Sequence, residues 1–244
     1  HLMLDDILSA VNYHLCIKQG LGKLDDVDHL GKVISRDDFN DTHISQVLAL
    51  PLVDVEAVRA RKFKVVVDAV NSVGGIVIPK LLRELGCEVV ELYSMPDGRF
   101  PHHHPNPSDE KTLADIKKAV VEHNADLGIA FDGDSDRIGV IDSEGNSMTG
   151  DKLLLIYAQD IIKDYNAKGI KPFIVSEVKC SQVLYDTIDE WGGISVMCKT
   201  GHGYIKSKMK EVGAVLAGEM SGHTFFKDRY YGFDDAVYAG CRII

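Results

Sequence analysis

The chain has 244 residues, a formal net charge of −10 and 45 % hydrophobic residues, enough for one large or two modest domains with their own cores. The acidic excess argues against a surface that follows a phosphate backbone, so nucleic acid is not an expected partner. Five scattered cysteines without a C-x-x-C pair argue against a disulfide framework or structural zinc, and no apolar stretch or signal-peptide pattern points to a membrane, so a cytoplasmic α/β protein is expected.

Leu4 to Lys18 reads as an amphipathic helix, broken by Gly20, Gly22 and the acidic Asp25-Asp26-Val27-Asp28. The run Gly20-Leu21-Gly22-Lys23-Leu24-Asp25-Asp26-Val27-Asp28-His29-Leu30-Gly31 resembles a segment of the bacterial RNA polymerase β subunit. Residues 1–31 are therefore expected to be a foreign, partly helical segment that ends at a chimeric junction.

From Phe63 the pattern becomes regular. The β-branched run Lys64 to Asp68 predicts a buried strand, and Gly74-Gly75 opens a helix that runs through Leu85 to a Gly86 cap. Cys87 to Leu92 predicts a strand, Thr112 to His123 an amphipathic helix, and Leu127–Phe131 and Ile138–Ile141 two further strands before the Ser143-Glu144-Gly145-Asn146 turn. After Gly150-Asp151 and a connecting helix the order repeats. Phe173–Val175, Ile194–Met197, Val215–Ala217 and Thr224–Phe226 read as strands, and Gln182–Trp191 and Tyr204–Glu211 as helices. Asp234 to Ile244 reads as a helix that reaches the chain end uncapped. Both halves are β-α-β-α-β-β, so two related domains are expected, over 32–150 and 151–244.

The strongest chemical signal is Phe131-Asp132-Gly133-Asp134-Ser135-Asp136-Arg137. Three carboxylates at alternate positions between two strands can aim oxygens at one point, and such crowding calls for a cation. Hard oxygen ligands select magnesium or calcium. An EF-hand is excluded, because its sixth and twelfth positions would be Arg137 and Ser143. A phosphohydrolase with Asp132 as nucleophile and Lys179 in support stays open as the alternative.

Three further segments follow predicted strands, where open α/β sheets bind ligands. In Gly218-Glu219-Met220-Ser221-Gly222-His223 the flanking glycines let the backbone expose the Glu219 carboxylate and the Ser221 hydroxyl side by side, a pair suited to adjacent sugar hydroxyls. Lys199-Thr200-Gly201-His202-Gly203-Tyr204 opens a helix whose N–H groups could meet an anion, with Lys199 and His202 as donors. Lys179 follows the third strand end. The histidines of Pro101-His102-His103-His104-Pro105 are read as part of a proline-stiffened structural loop and not as a zinc site.

Together these pieces, with Val67-Asp68-Ala69-Val70-Asn71-Ser72, Pro96-Asp97-Gly98-Arg99-Phe100-Pro101 and the run from Phe225 to Asp235, resemble the α-D-phosphohexomutases, in particular the bacterial phosphomannomutase/phosphoglucomutase group. The resemblance covers about Lys32 to Ile244 and implies two three-layer α/β/α domains with mixed sheets, the family's second and third. It implies interconversion of mannose or glucose 1- and 6-phosphates through a phosphoserine and a bisphosphate intermediate. By that analogy Asp132, Asp134 and Asp136 hold Mg²⁺, and Arg137 supports the phosphate or substrate. Glu219 and Ser221 grip the sugar, and Lys179, Thr200, Gly201 and His202 line the cleft, with Lys179 and His202 as acid/base or phosphate-contact candidates.

The chain departs from the family pattern at Ser72-Val73, at Ser135 where glycine is commoner, and at Gly203 where serine is frequent. A Thr-Ala-Ser-His-Asn-Pro-type phosphoserine loop and a terminal phosphate-clamping loop are not found in the 244 residues. The expectation is thus a mutase fragment that needs the parent's other domains for turnover. A non-catalytic sugar-phosphate-binding module is the second alternative.

Overall fold

A computed structural model describes residues 34–36 and 38–244. The expected Leu4–Lys18 helix and the polymerase-like run lie outside the described residues. The described residues divide after Phe39 into two units; in the first, exposed Arg36 pairs with Asp38. No helix among the described residues is long and apolar enough to cross a membrane.

Two helices, α1 (Phe39–Leu48) and α2 (Val55–Arg61), precede the first strand. Neither was expected, because their apolar periodicity is weak: only Ile44 and Val47 of α1 are buried, and no residue of α2 is. The run then follows the predicted order: β1 (Lys64–Asp68), α3 (Gly74–Glu84), β2 (Glu88–Leu92), α4 (Ala114–Glu122), β3 (Leu127–Phe131) and β4 (Ile138–Asp142). A short β5 (Ser147–Met148) is added after the expected turn, where Asp142 Oδ1 accepts the Asn146 N–H at 2.8 Å. The sheet order is β2-β1-β3-β4-β5, parallel from β2 to β3 and antiparallel beyond.

The second half consists of α5 (Gly150–Asn166), β6 (Phe173–Glu177), α6 (Gln182–Glu190), β7 (Ile194–Cys198), α7 (His202–Val212), β8 (Leu216–Gly218), β9 (Thr224–Phe226) and α8 (Ala236–Ile243). Its sheet, β7-β6-β8-β9, is again mixed, with β8 and β9 antiparallel. Each sheet lies between helical layers, as expected of two α/β/α domains. The α4 face buries Val66, Ile116 and Val120, and the α7 face buries Val175, Ile205 and Met209. The opposite faces share one core that runs from Ile78 and Phe131 through Leu154 and Ile161 to Leu216 and Phe226.

The last helix joins the halves. Although α8 follows the second sheet, it packs on α3 and β4 as well as on α5. Asp235 caps it, accepting the Tyr238 N–H at 3.0 Å on Oδ1, and Oδ2 stands 3.3 Å from His43 Nε2 of α1. The Asp235 carboxylate holds the His43 imidazole above the usual histidine range.

That shift has a pH signature. The stability contributed by charged His43 is fully present below the unfolded histidine value of about 6.5 and is lost as pH rises through the higher folded value. Denaturation midpoints of the parent chain and His43→Gln should therefore differ most below about pH 6.5 and converge as pH rises through the higher folded value. A gap independent of pH would contradict a charged His43–Asp235 pair.

Candidate functional site

Strand β3 delivers Asp132 to a loop that turns back at once into β4, so the carboxylates are confined by sheet pairing on both sides. Asp132 is 2 % exposed. Its Oδ1 accepts the backbone N–H groups of Asp136 and Arg137, each at 3.1 Å, and its Oδ2 accepts Arg137 Nε–H at 2.8 Å. Three of about four carboxylate lone-pair positions are thereby used, which leaves one for a further ligand. The turn needs a left-handed residue at Ser135, with φ 62°, and its hydroxyl is buried without a hydrogen-bond partner against Gly74.

Oxygens of Asp132, Asp134 and Asp136 lie within 4.8 Å of one another, as the sequence predicted. Asp134 has no ion pair among the described residues, and burial together with the Asp132 charge raises its carboxyl above the usual range. Crowded hard oxygens with one uncompensated carboxylate fit a magnesium-sized cation. Arg137, expected to face a phosphate, is instead directed at Asp132, with a second contact of 3.4 Å to Asn106.

The loop after β8 meets this acidic loop directly. Arg137 and His223 form an antiparallel bridge, and the Ile138 N–H donates to Gly222 O at 3.2 Å. Gly222 has φ 98°, and a Cβ there would stand 2.4 Å from Ile138 O, so no side chain could be accommodated. His223 Nε2 reaches Asp136 Oδ1 at 3.2 Å and its Nδ1 reaches Glu219 Oε2 at 2.8 Å. Burial opposes charge on this ring, but the hydrogen bonds to Asp136 and Glu219 prevail and push it up to about 9. Protonated His223 donates to both carboxylates.

Asp136, His223 and Asp234 form a second group with metal-ligand spacing. It is already charge-balanced, because His223 is protonated and Lys206 Nζ lies 2.7 Å from Asp234. A cation is better accommodated by the three aspartates.

Around the loop after β8 the structure brings the expected residues together and changes their exposure. Glu219 was expected to stand exposed beside Ser221. It is 4 % exposed, drawn inward by the Gly201 N–H, at 2.7 Å from Oε1, and by His223. Against the opposing effect of burial, these donors hold its carboxyl below the usual range. Ser221 Oγ stands 3.1 Å from His223 Nδ1 and remains half-buried. The Gly201 N–H, read from the sequence as free for an anion, is therefore occupied.

Lys179, Thr200 and His202 are exposed around this rim. Lys179 Nζ is 3.3 Å from Glu177, the Thr200 hydroxyl donates to Glu177, and the His202 ring lies 6.3 Å from that of His223. In the histidine loop, His103 Nε2 stands 3.0 Å from Asp68, and His102 stacks on Tyr93 and contacts Asn71. Sequence reasoning missed the linking role of His223 and all of Glu177. The available signals were a histidine closing the glutamate–serine loop and a carboxylate two residues before Lys179.

Residues 41–145 match a family model described as phosphoglucomutase/phosphomannomutase, alpha/beta/alpha domain II, and residues 149–244 match the corresponding domain III. A phosphomannomutase/phosphoglucomutase of Pseudomonas syringae pv. tomato is 48 % identical over 189 residues, covering 78 % of this chain and 40 % of the relative. A phosphoglucomutase of Neisseria meningitidis serogroup A is 47 % identical over 184 residues, covering 75 % of this chain and 39 % of the relative. Among solved structures, a phosphoglucomutase/phosphomannomutase family protein from Burkholderia thailandensis superposes with a TM-score of 0.76 at 40 % identity, covering 84 % of this chain and 42 % of that one. The chain thus spans about two fifths of the length of the curated relatives it matches.

The strained turn gives a direct test. Ser135→Gly removes both the left-handed strain and the unpartnered hydroxyl, and should stabilise the chain by about 1 kcal/mol in urea denaturation. An equal or lower midpoint would show that the Ser135 hydroxyl has a stabilising partner.

Proposed function

Since the chain belongs to the phosphoglucomutase/phosphomannomutase family, of which it carries domains II and III, we propose that it binds Mg²⁺ on Asp132, Asp134 and Asp136 and a hexose phosphate beside it. The sugar side comprises Lys179, Thr200, Gly201, His202, Glu219 and Ser221. In this reading the parent enzyme interconverts hexose 1- and 6-phosphates through a phosphoserine and a bisphosphate, and this polypeptide contributes the cation and sugar loops. The phosphoserine and phosphate-clamp loops come from other domains of the parent.

The observation that carries the reading is the continuous chain from Asp136 through His223 to Glu219, which joins the acidic loop to the sugar loop in one cleft. Phosphoryl transfer depends mainly on positioning and charge neutralisation, and the bound cation would supply the neutralisation. Arg137 keeps Asp132 oriented. His223 holds a proton between two carboxylates, and Lys179, paired with Glu177, offers a positive charge at the rim. Ser221 and the remaining lone pairs of Glu219 are the groups available to sugar hydroxyls. The phosphohydrolase alternative is less well supported, because a nucleophilic Asp132 would have to attack from a carboxylate already engaged by three donors.

Calorimetry on the 244-residue chain should show Mg²⁺ binding and glucose 6-phosphate binding without mutase turnover. Asp134→Asn should weaken Mg²⁺ at least about tenfold, and should raise the melting temperature of the metal-free chain because a like-charge contact is gone. Unchanged Mg²⁺ affinity in Asp134→Asn would overturn the metal assignment. Phosphate release abolished by Asp132→Asn would favour the phosphohydrolase.

A further inference from the structure

Glu177 ends β6 at 0 % exposure, and its carboxylate gathers three separate loops. The Thr200 hydroxyl donates to Oε2, the Met220 N–H donates to Oε1 at 2.8 Å, and Lys179 Nζ stands 3.3 Å from Oε2. These partners come from the segments after β6, β7 and β8. From the other side, Glu219 takes the N–H of Gly201. Two buried carboxylates therefore grip the consecutive residues Thr200 and Gly201.

A buried carboxylate is a poor packing group, and a hydrocarbon side chain would fill a strand end at lower cost. What it adds is a fixed spacing among a cation, a hydroxyl and a backbone amide on three different loops. We propose that Glu177 is the positioning residue of the sugar-phosphate rim, setting where Lys179 and Thr200 stand relative to the Glu219–Ser221 loop. The inference rests on the reading of that rim as a hexose-phosphate site. Glu177 acts through Lys179 and Thr200 and touches no substrate itself.

Electrostatics alone makes the opposite prediction. Removing a negative charge beside an anion site should tighten anion binding, whereas releasing two anchored groups should weaken it. Glu177→Gln separates the two. Its amide can still meet Met220 and Thr200, but without the charge that strengthens both bonds and holds Lys179, so the fold is kept while the grip on all three loops is loosened.

The experiment titrates glucose 6-phosphate into the 244-residue chain and into Glu177→Gln, with ligand-free amide ¹H–¹⁵N spectra of both. Affinity should fall about tenfold, the Thr200, Gly201 and Met220 amides should shift or broaden, and circular dichroism should be unchanged. Equal or tighter binding, or undisturbed amides at those three residues, would overturn the proposal. If the parent chain binds no glucose 6-phosphate, the functional reading fails, and the spectra alone decide whether Glu177 fixes the loops. Should Glu177→Gln not fold, Thr200→Val removes one anchor and must show the same direction of change in affinity and in the Met220 amide; no change there also overturns the proposal.

Discussion

One imidazolium holds the cleft together. His223 reaches Asp136 on the acidic loop with one nitrogen and Glu219 on the loop after β8 with the other, and both partners are carboxylates. Burial alone would discharge the ring, but the flanking carboxylates reverse that, so the loops are joined by charge-assisted hydrogen bonds. The Arg137–His223 bridge fixes the backbone beneath them. A shift of either loop is therefore felt by the other, which lets two sheets from different halves of the chain define one site.

The repeated fold makes this meeting possible. In each half the chain leaves its parallel strands at the same sheet edge, so loops after β3, β6, β7 and β8 collect where ligands of open α/β sheets bind. The connection is made rigid from behind. Helix α8 returns from the second half to pack on α3 and β4, and the Tyr157 hydroxyl donates to Ala239 O at 2.9 Å inside the shared core. The interface between the halves is thus a continuous apolar core below the polar cleft, consistent with a cleft that keeps its shape before any ligand arrives.

How much of this could be read from the sequence depended on the range of the interaction. Val65, Val66 and Val67 mark a strand by themselves, and Asp132, Asp134 and Asp136 mark a candidate cation site by their spacing, because both signals are local. Helices α1 and α2 bury too little to leave a periodic trace. Glu177 looked like an ordinary strand end, since its partners Thr200 and Met220 are 23 and 43 residues away. The inward turn of Glu219 was hidden for the same reason: the Gly201 N–H that draws it in belongs to another loop. At Ser135 the family's preference for glycine was visible, and the left-handed backbone supplies its physical cause.

The most direct test is crystallographic. Crystals of the chain grown with Mn²⁺ in place of Mg²⁺ should give one anomalous peak within ligand distance of Asp132, Asp134 and Asp136, with His223 still bridging Asp136 and Glu219. A peak held instead by Asp136, His223 and Asp234, or none near the acidic loop, would contradict the account, because a metal on His223 would sever the link between the two loops.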